Sequence, residues 1–229
     1  GEIADTLGTP MGSDASVTVT TFNEHVSEMV KIDTFRYVSA WEAPTFSGTT
    51  IGVIGSGCEF DVSGDNYAPG TTRNGRHKRS AFLKYQWDTA AEAHMLREYC
   101  SNGTPRSVEF DASYVLQCFV YGDGSNNKFR FALDEKIGAA WPNHEVSNWF
   151  TIDWEGWKLL QWDLSDPSTV GSWIGNEILD GDGYRIDSFQ MTYDTENGAE
   201  SGQIFVDELR LIKRMDGVSV DEGIEQMPE

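Results

Sequence analysis

Cations are scarce in this chain: 17 lysines and arginines stand against 37 aspartates and glutamates, for a formal net charge of −20. Phosphate-rich partners need clustered cations, so nucleic acid and anionic membrane surfaces are poor ligands, and neutral or cationic ones fit better. Long apolar runs are lacking too; nothing approaches the ~18 consecutive apolar residues of a membrane span. Only three cysteines occur, Cys58, Cys100 and Cys118. They cannot all pair within one chain, and without CxxC or Cys/His ligand spacing they argue against structural zinc. Cys118, in the apolar run YVLQCFVY, reads as a small core residue; Cys58 and Cys100 are left to bridge or to stay free. No targeting segment opens the chain, which a trimmed mature protein would share. The GxSxG, P-loop, HExxH and dinucleotide-binding signatures are all missing.

Tryptophan, by contrast, is concentrated. Six of the eight lie between Trp141 and Trp173, five of them in WPNHEVSNWFTIDWEGWKLLQW. That is more indole than one small core absorbs, since a buried indole needs a partner for its N–H. Rings left at an edge or on a face suit a flat, partly apolar ligand. Sugar rings stack their C–H faces on indoles while Asn, Gln, Asp and Arg bond the hydroxyls. Carbohydrate binding is therefore the leading reading.

Short alternating segments recur between Gly, Asp and Asn turns: TTIGVIG, SAFLKYQW, SYVLQCFVY, NKFRFAL, WFTID, WKLLQWDL, RIDSFQMTY and QIFVDELRLI. With no βαβ alternation, they predict an all-β, two-sheet antiparallel β-sandwich of jelly-roll type. Residues 1–30 read as a leader or added strand with a possible helical turn at NEHVSEMV. Residues 31–214 form the jelly-roll domain, and 215–229 an acidic tail or linker. DTAAEAHMLREY reads either as a helix or as a loop feeding a strand MLREY.

Period two sorts the candidate contacts. In NKFRFAL, Phe129, Phe131 and Leu133 share the apolar side, which sends Arg130 outward. In DSFQMTY, Phe189 and Met191 do so, which sends Gln190 outward. Arg97 shares a side with Met95 and Tyr99 and is ambiguous in direction. Trp41, Trp141, Trp149, Trp154 and Trp173 sit beside loop-forming residues and are the candidate stacking rings. Trp87, Trp157 and Trp162 read as core. The cluster Arg73, Arg76, His77, Lys78, Arg79 reads as a solvated strand start or, more sharply, a subsite for an acidic sugar.

Catalysis is the rival. Retaining hydrolysis wants two carboxylates about 5–5.5 Å apart, and no ExDxxE-like set occurs. Asp134 and Glu135 are adjacent and diverge across a strand; Asp153 and Glu155 flank a turn. A lyase could be assembled from Arg97, His144, Tyr121 and Arg130, although His144 in PNHEVS reads as a loop histidine. A spacer or adhesion domain without a ligand is the third reading.

IDTFRYVSAWEAPTFSGTT, HMLREY, VYGDGSNNKFRFAL, NHEVSNWFTIDWEGWKLLQWDL, and RIDSFQMTY followed by GQIFVDELRL resemble the jelly-roll, galactose-binding-like carbohydrate-binding modules appended to secreted bacterial glycoside hydrolases. The resemblance covers roughly Lys31 to Lys213. It implies a glycan-facing concave sheet, a polysaccharide or oligosaccharide partner, a monomer, and an extracellular or cell-surface location; it does not name the glycan. It also implies a structural Ca2+ held by Asp207 in the last strand and by Asp33 near the first. Arg36 stands where that pattern commonly carries Glu, and its cation would oppose the ion.

Overall fold

The computed structural model describes residues 26–43, 48–68 and 78–214. In chain order the strands are β1 (Val26–Asp33), β2 (Glu59–Ser63), β3 (Ser80–Gln86), β4 (Leu96–Tyr99), β5 (Val115–Asp123), β6 (Lys128–Ile137), β7 (Ala140–Ser147), β8 (Phe150–Thr151), β9 (Glu155–Asp163), β10 (Val170–Gly171), β11 (Gly183–Thr192) and β12 (Ser201–Arg214). One short helix, α1 (Gly103–Ser107), lies between β4 and β5. The first sheet runs β2-β3-β12-β5-β9, with β1 also on β12. The second runs β10-β7-β6-β11-β4, with β8 also on β6. All pairings between these strands are antiparallel. The chain passes repeatedly from one sheet to the other, giving the expected sandwich.

Alternation builds the interior. Leu116, Cys118 and Val120 of β5 and Leu160 and Trp162 of β9 face Phe129, Phe131 and Leu133 of β6 and Phe189 and Met191 of β11 across a common core. Phe189 sits at its centre, 5.5 Å from Phe129, 6.1 Å from Phe131 and stacked on Trp41 at 4.8 Å. Burying rings of this size contributes on the order of 2–3 kcal/mol each relative to leaving them in water. Gly122 is needed where β5 approaches the chain before β9: a Cβ there would meet the Trp154 carbonyl oxygen at 2.4 Å.

Several readings change. NEHVSEMV is no helical turn, because its last residues run into β1, whose Ile32 is buried. DTAAEAHMLREY takes the loop-then-strand alternative, ending in β4. Cys58, Cys100 and Cys118 are all free thiols. The expectation that every buried indole has a partner fails twice among the described residues: Trp87 and Trp162 are 2% and 1% exposed, and neither N–H meets an acceptor there. Trp157 is not core. In β9 the inward set is Leu160 and Trp162, so Trp157 lies with Gln161 on the outer face, half-buried. Residues 215–229, most of 1–30, and Arg73, Arg76 and His77 fall outside the described residues.

Candidate functional site

The outer face of the second sheet gathers the polar side chains that alternation turns away from the core. From β6 come Arg130, Asp134 and Lys136, from β4 Arg97 and Tyr99, from β7 Trp141 and His144, and from β11 Arg185, Asp187, Ser188 and Gln190. Register aligns them: Arg130 opposes Gln190, Asp134 opposes both Arg185 and His144, and Arg97 opposes Gln190. Three further pieces close on this face. Arg106 reaches in from α1, Trp149 precedes β8, and Ser172 and Trp173 follow β10.

Two buried carboxylates organise the floor. Asp187 is 0% exposed and accepts on both oxygens from Arg97 Nη2, at 2.6 and 2.7 Å, with Ser188 Oγ donating at 2.7 Å. Asp134 is 1% exposed and accepts from Arg106 Nη2 and Arg185 Nε on one oxygen, each at 2.7 Å. Its other oxygen lies 2.9 Å from His144 Nδ1, a direct contact between the carboxylate and the imidazole. Burial pushes the Asp187 carboxyl above its ordinary range despite Arg97. Burial also pushes Asp134 upward, but His144, Arg185 and Arg106 together bring it below its usual value. Contact with Asp134 raises the His144 imidazole above its usual range, against its own partial burial.

Cations lie against the aromatic rings. Arg97 is 4.6 Å from the Tyr99 ring and 5.5 Å from Trp173; Arg106 is 4.8 Å from Tyr99. Arg185 and Lys136 lie 4.2 and 5.4 Å from Trp141, and Arg130 lies 4.0 Å from Trp149. Cation–π contacts of this kind contribute about 0.5–2 kcal/mol each and hold rings upright at the surface.

The sequence-derived candidates divide. Trp141, Trp149, Trp173 and Arg97 come together on this face, with Trp141 on a strand rather than in a loop. Arg130 and Gln190 point to the expected side, yet they are 2% and 0% exposed. Arg130 Nε donates to Gln190 Oε1 at 2.8 Å and Nη1 to the Ser172 carbonyl at 2.9 Å. Trp149 and Ser172 roof them over, and burial lowers the Arg130 pKa to about 10. Trp41 is inside: 7% exposed, stacked on Phe189, its N–H donated to Asp33 Oδ2 at 2.9 Å. Trp154 is half-buried against the core and donates to the Gly156 carbonyl, away from this cluster.

Asp33 and Asp207 are the two carboxylates on which the calcium expectation rests. Asp33 accepts from Phe35 N and Trp41 Nε1, while Asp207 accepts from Ala68 N at 3.0 Å and Glu208 N at 2.8 Å. Every carboxylate oxygen is engaged by an N–H donor, an environment that fits an anion and not the six-to-eight-oxygen cage of Ca2+. Arg36 is exposed, beside Tyr37. Asp134, His144 and Asp187 bring their ligand atoms within 4.8 Å of one another, but Arg97, Arg106 and Arg185 already supply the positive charge there.

Asp134, Asp187, Arg185, Arg106 and Lys136 were missed as site residues. Alternation from Arg130 would have found Asp134 and Lys136. His144, read as a loop residue, stands inside β7.

No protein-family model matches the chain, and no curated protein matches it. Among solved structures it is similar to the family 11 carbohydrate-binding module of Clostridium thermocellum, solved with a β-1,3-1,4-mixed-linked tetrasaccharide. Identity is 21%, covering 82% of this chain and 96% of that one, with a TM-score of 0.48. It is similar to Caldicellulosiruptor saccharolyticus CBM27-1, solved with mannohexaose, at 15% identity, 82% and 98% coverage and a TM-score of 0.43. It also resembles the C-terminal family 22 module of Clostridium thermocellum Xyn10B, at 14% identity, 86% and 100% coverage and a TM-score of 0.39.

Proposed function

We propose that this chain is a non-catalytic carbohydrate-binding module whose ligand lies on the outer face of the second sheet. The observation that carries this is the pairing of half-buried rings, Tyr99, Trp141 and Trp173, with hydrogen-bonding side chains on one strand face. Rings stack on sugar C–H faces for about 1 kcal/mol each beyond their buried area, and neighbouring donors address the hydroxyls. A few such contacts correspond to micromolar-to-millimolar affinity.

Hydrolysis is disfavoured by the state of the carboxylates. Asp134 and Asp187 bring carboxylate oxygens within 4.8 Å of one another, closer than the ~5–5.5 Å of retaining enzymes. Both are also 1% exposed or less and neutralised by guanidinium groups, so neither can reach an anomeric carbon or lend a proton at the surface. We further read the module as extracellular, monomeric and attached to a glycoside hydrolase, in keeping with the known activity of such modules. Calorimetric titration of the protein with a panel of soluble polysaccharides tests the binding reading: saturable heat with at least one glycan is expected, without release of reducing ends or of unsaturated product. Product release would convert the reading to an enzyme.

A further inference from the structure

We propose that this face takes an anionic glycan, one whose sugars carry carboxylates, with Arg185 and Lys136 beside Trp141 as the subsite for the acid group. The inference rests on the carbohydrate-binding reading. Five cations (Arg97, Arg106, Arg130, Arg185, Lys136) meet three carboxylates (Asp134, Asp187, Glu109) on this face, a local surplus of two positive charges in a chain of net charge −20. Depth matters more than the count. The side chains of Asp134 and Asp187 are 1% and 0% exposed, whereas those of Arg97, Arg106, Arg185 and Lys136 are 13%, 16%, 21% and 28% exposed. A ligand arriving from solvent meets the cations and Glu109, whose side chain is 52% exposed, and not the two carboxylates beneath them.

Arg185 is the most open of the guanidiniums. It binds Asp134 through Nε, and its Nη1/Nη2 edge has no acceptor among the described residues. The guanidinium lies against Trp141, its carbon 4.2 Å from the ring centroid. Two parallel N–H groups match a carboxylate bidentately, a geometry an ammonium cannot supply. Lys136 Nζ, on the same ring at 5.4 Å, is paired among the described residues only with Glu109 at 2.7 Å, a surface pair of the kind that contributes little and exchanges readily. A neutral sugar would leave this edge to water; a uronate would occupy it while its ring meets Trp141. The whole-chain charge, which favours neutral ligands, is screened over ~8 Å at physiological ionic strength, so the local arrangement governs contact.

The test is calorimetric titration with matched pairs of hexasaccharides: β-glucuronan, galacturonan and mannuronan fragments, each against its carboxyl-reduced counterpart, with a sulfated glucan as a further arm. At least tenfold tighter binding of the carboxylated member in one pair is expected. Lys136→Gln should remove most of that difference while leaving the melting transition in place, and Arg185→Gln should remove it too, with a loss of stability because buried Asp134 gives up one of its partners. Lys136→Gln is the safer variant, since its one ion pair is at the surface. Equal or tighter binding of the neutral member in every pair that binds overturns the inference and leaves the carbohydrate reading standing. Preference for the sulfated glucan over all uronates overturns the carboxylate assignment. No binding of any saccharide by the folded protein overturns both.

Discussion

The two sheets turn very different faces to the outside. On the first, Phe82, Phe205, Tyr121 and Trp157 line up across β3, β12, β5 and β9 as directly paired neighbours. Their centroids are 6.4, 5.7 and 5.6 Å apart in edge-to-face contacts. The loop after β2 lies on this row: Trp157 Nε1 donates to Asn66 Oδ1, Ser80 Oγ to the Asn66 carbonyl, and the Ala68 N–H to Asp207. On the second sheet Tyr99, Trp141, Trp149 and Trp173 each lie against a cation, and the one ring that Trp173 meets is the His144 imidazole, at 5.7 Å. Aromatic abundance is thus no guide to a binding face. Rings that pack edge-to-face with each other fasten a loop, while rings held by guanidiniums stand over a charged floor and stay available.

If that contrast holds, mutations on the two faces should report on different measurements. The largest effect expected is Arg97→Ala, which strips the bidentate partner from fully buried Asp187; loss of one member of a buried pair costs about 3–5 kcal/mol. Denaturant unfolding measures it, and a loss under 1 kcal/mol would mean that Asp187 is not dependent on Arg97. Next is Trp157→Ala on the opposite face. It removes a half-buried ring and a hydrogen bond to Asn66, at about 2 kcal/mol of stability, and glycan affinity should not change. Altered affinity there would erase the distinction between the faces. Trp173→Ala should do the reverse, weakening binding roughly tenfold, on the scale of one stacking contact, with a melting temperature within a degree or two of the parent.

The contrast also shows where sequence reasoning reaches and where it stops. Regular strands are legible: Phe129, Phe131 and Leu133 inward put Arg130 and Asp134 outward, and the structure agrees. The second sheet's β11 is not regular. A register shift between Ile186 and Ser188 brings Asp187 onto the same face as Ser188 and Gln190, which strict alternation from Phe189 and Met191 forbids. Trp157 was misplaced for the opposite reason: the alternation that buries Leu160 and Trp162 turns it outward, and its apolar character was weighed above its parity. Exposure is harder still. Arg130 and Gln190 have the right direction, but a roof supplied by Trp149 and Ser172, 19 and 42 residues along the chain from Arg130, is a tertiary fact that no local pattern encodes. Trp41 looked like a loop residue because its neighbours are; the Asp33 carboxylate that accepts its N–H is what lets it sit inside.

The smallest expected effect bears on the floor of the second face, where His144 touches Asp134. The contact favours the imidazolium, so the folded-state pKa lies above the unfolded value of about 6.5. A group shifted in that direction adds stability that is complete below the unfolded pKa and disappears as pH rises through the folded one. NMR titration of the His144 ring should place its midpoint above the ordinary imidazole value of about 6.5. Asp134→Asn should bring the His144 midpoint down, because the amide keeps the shape of the carboxylate and loses its charge. An unmoved midpoint would assign the shift to Asp187, whose Oδ1 is 3.7 Å from the same nitrogen, and would make the floor one shared anionic field instead of two separately partnered carboxylates. In that case the carboxylates would hold the cations above them less firmly than the individual ion pairs suggest, and Arg185 would be freer to turn its open edge toward a ligand.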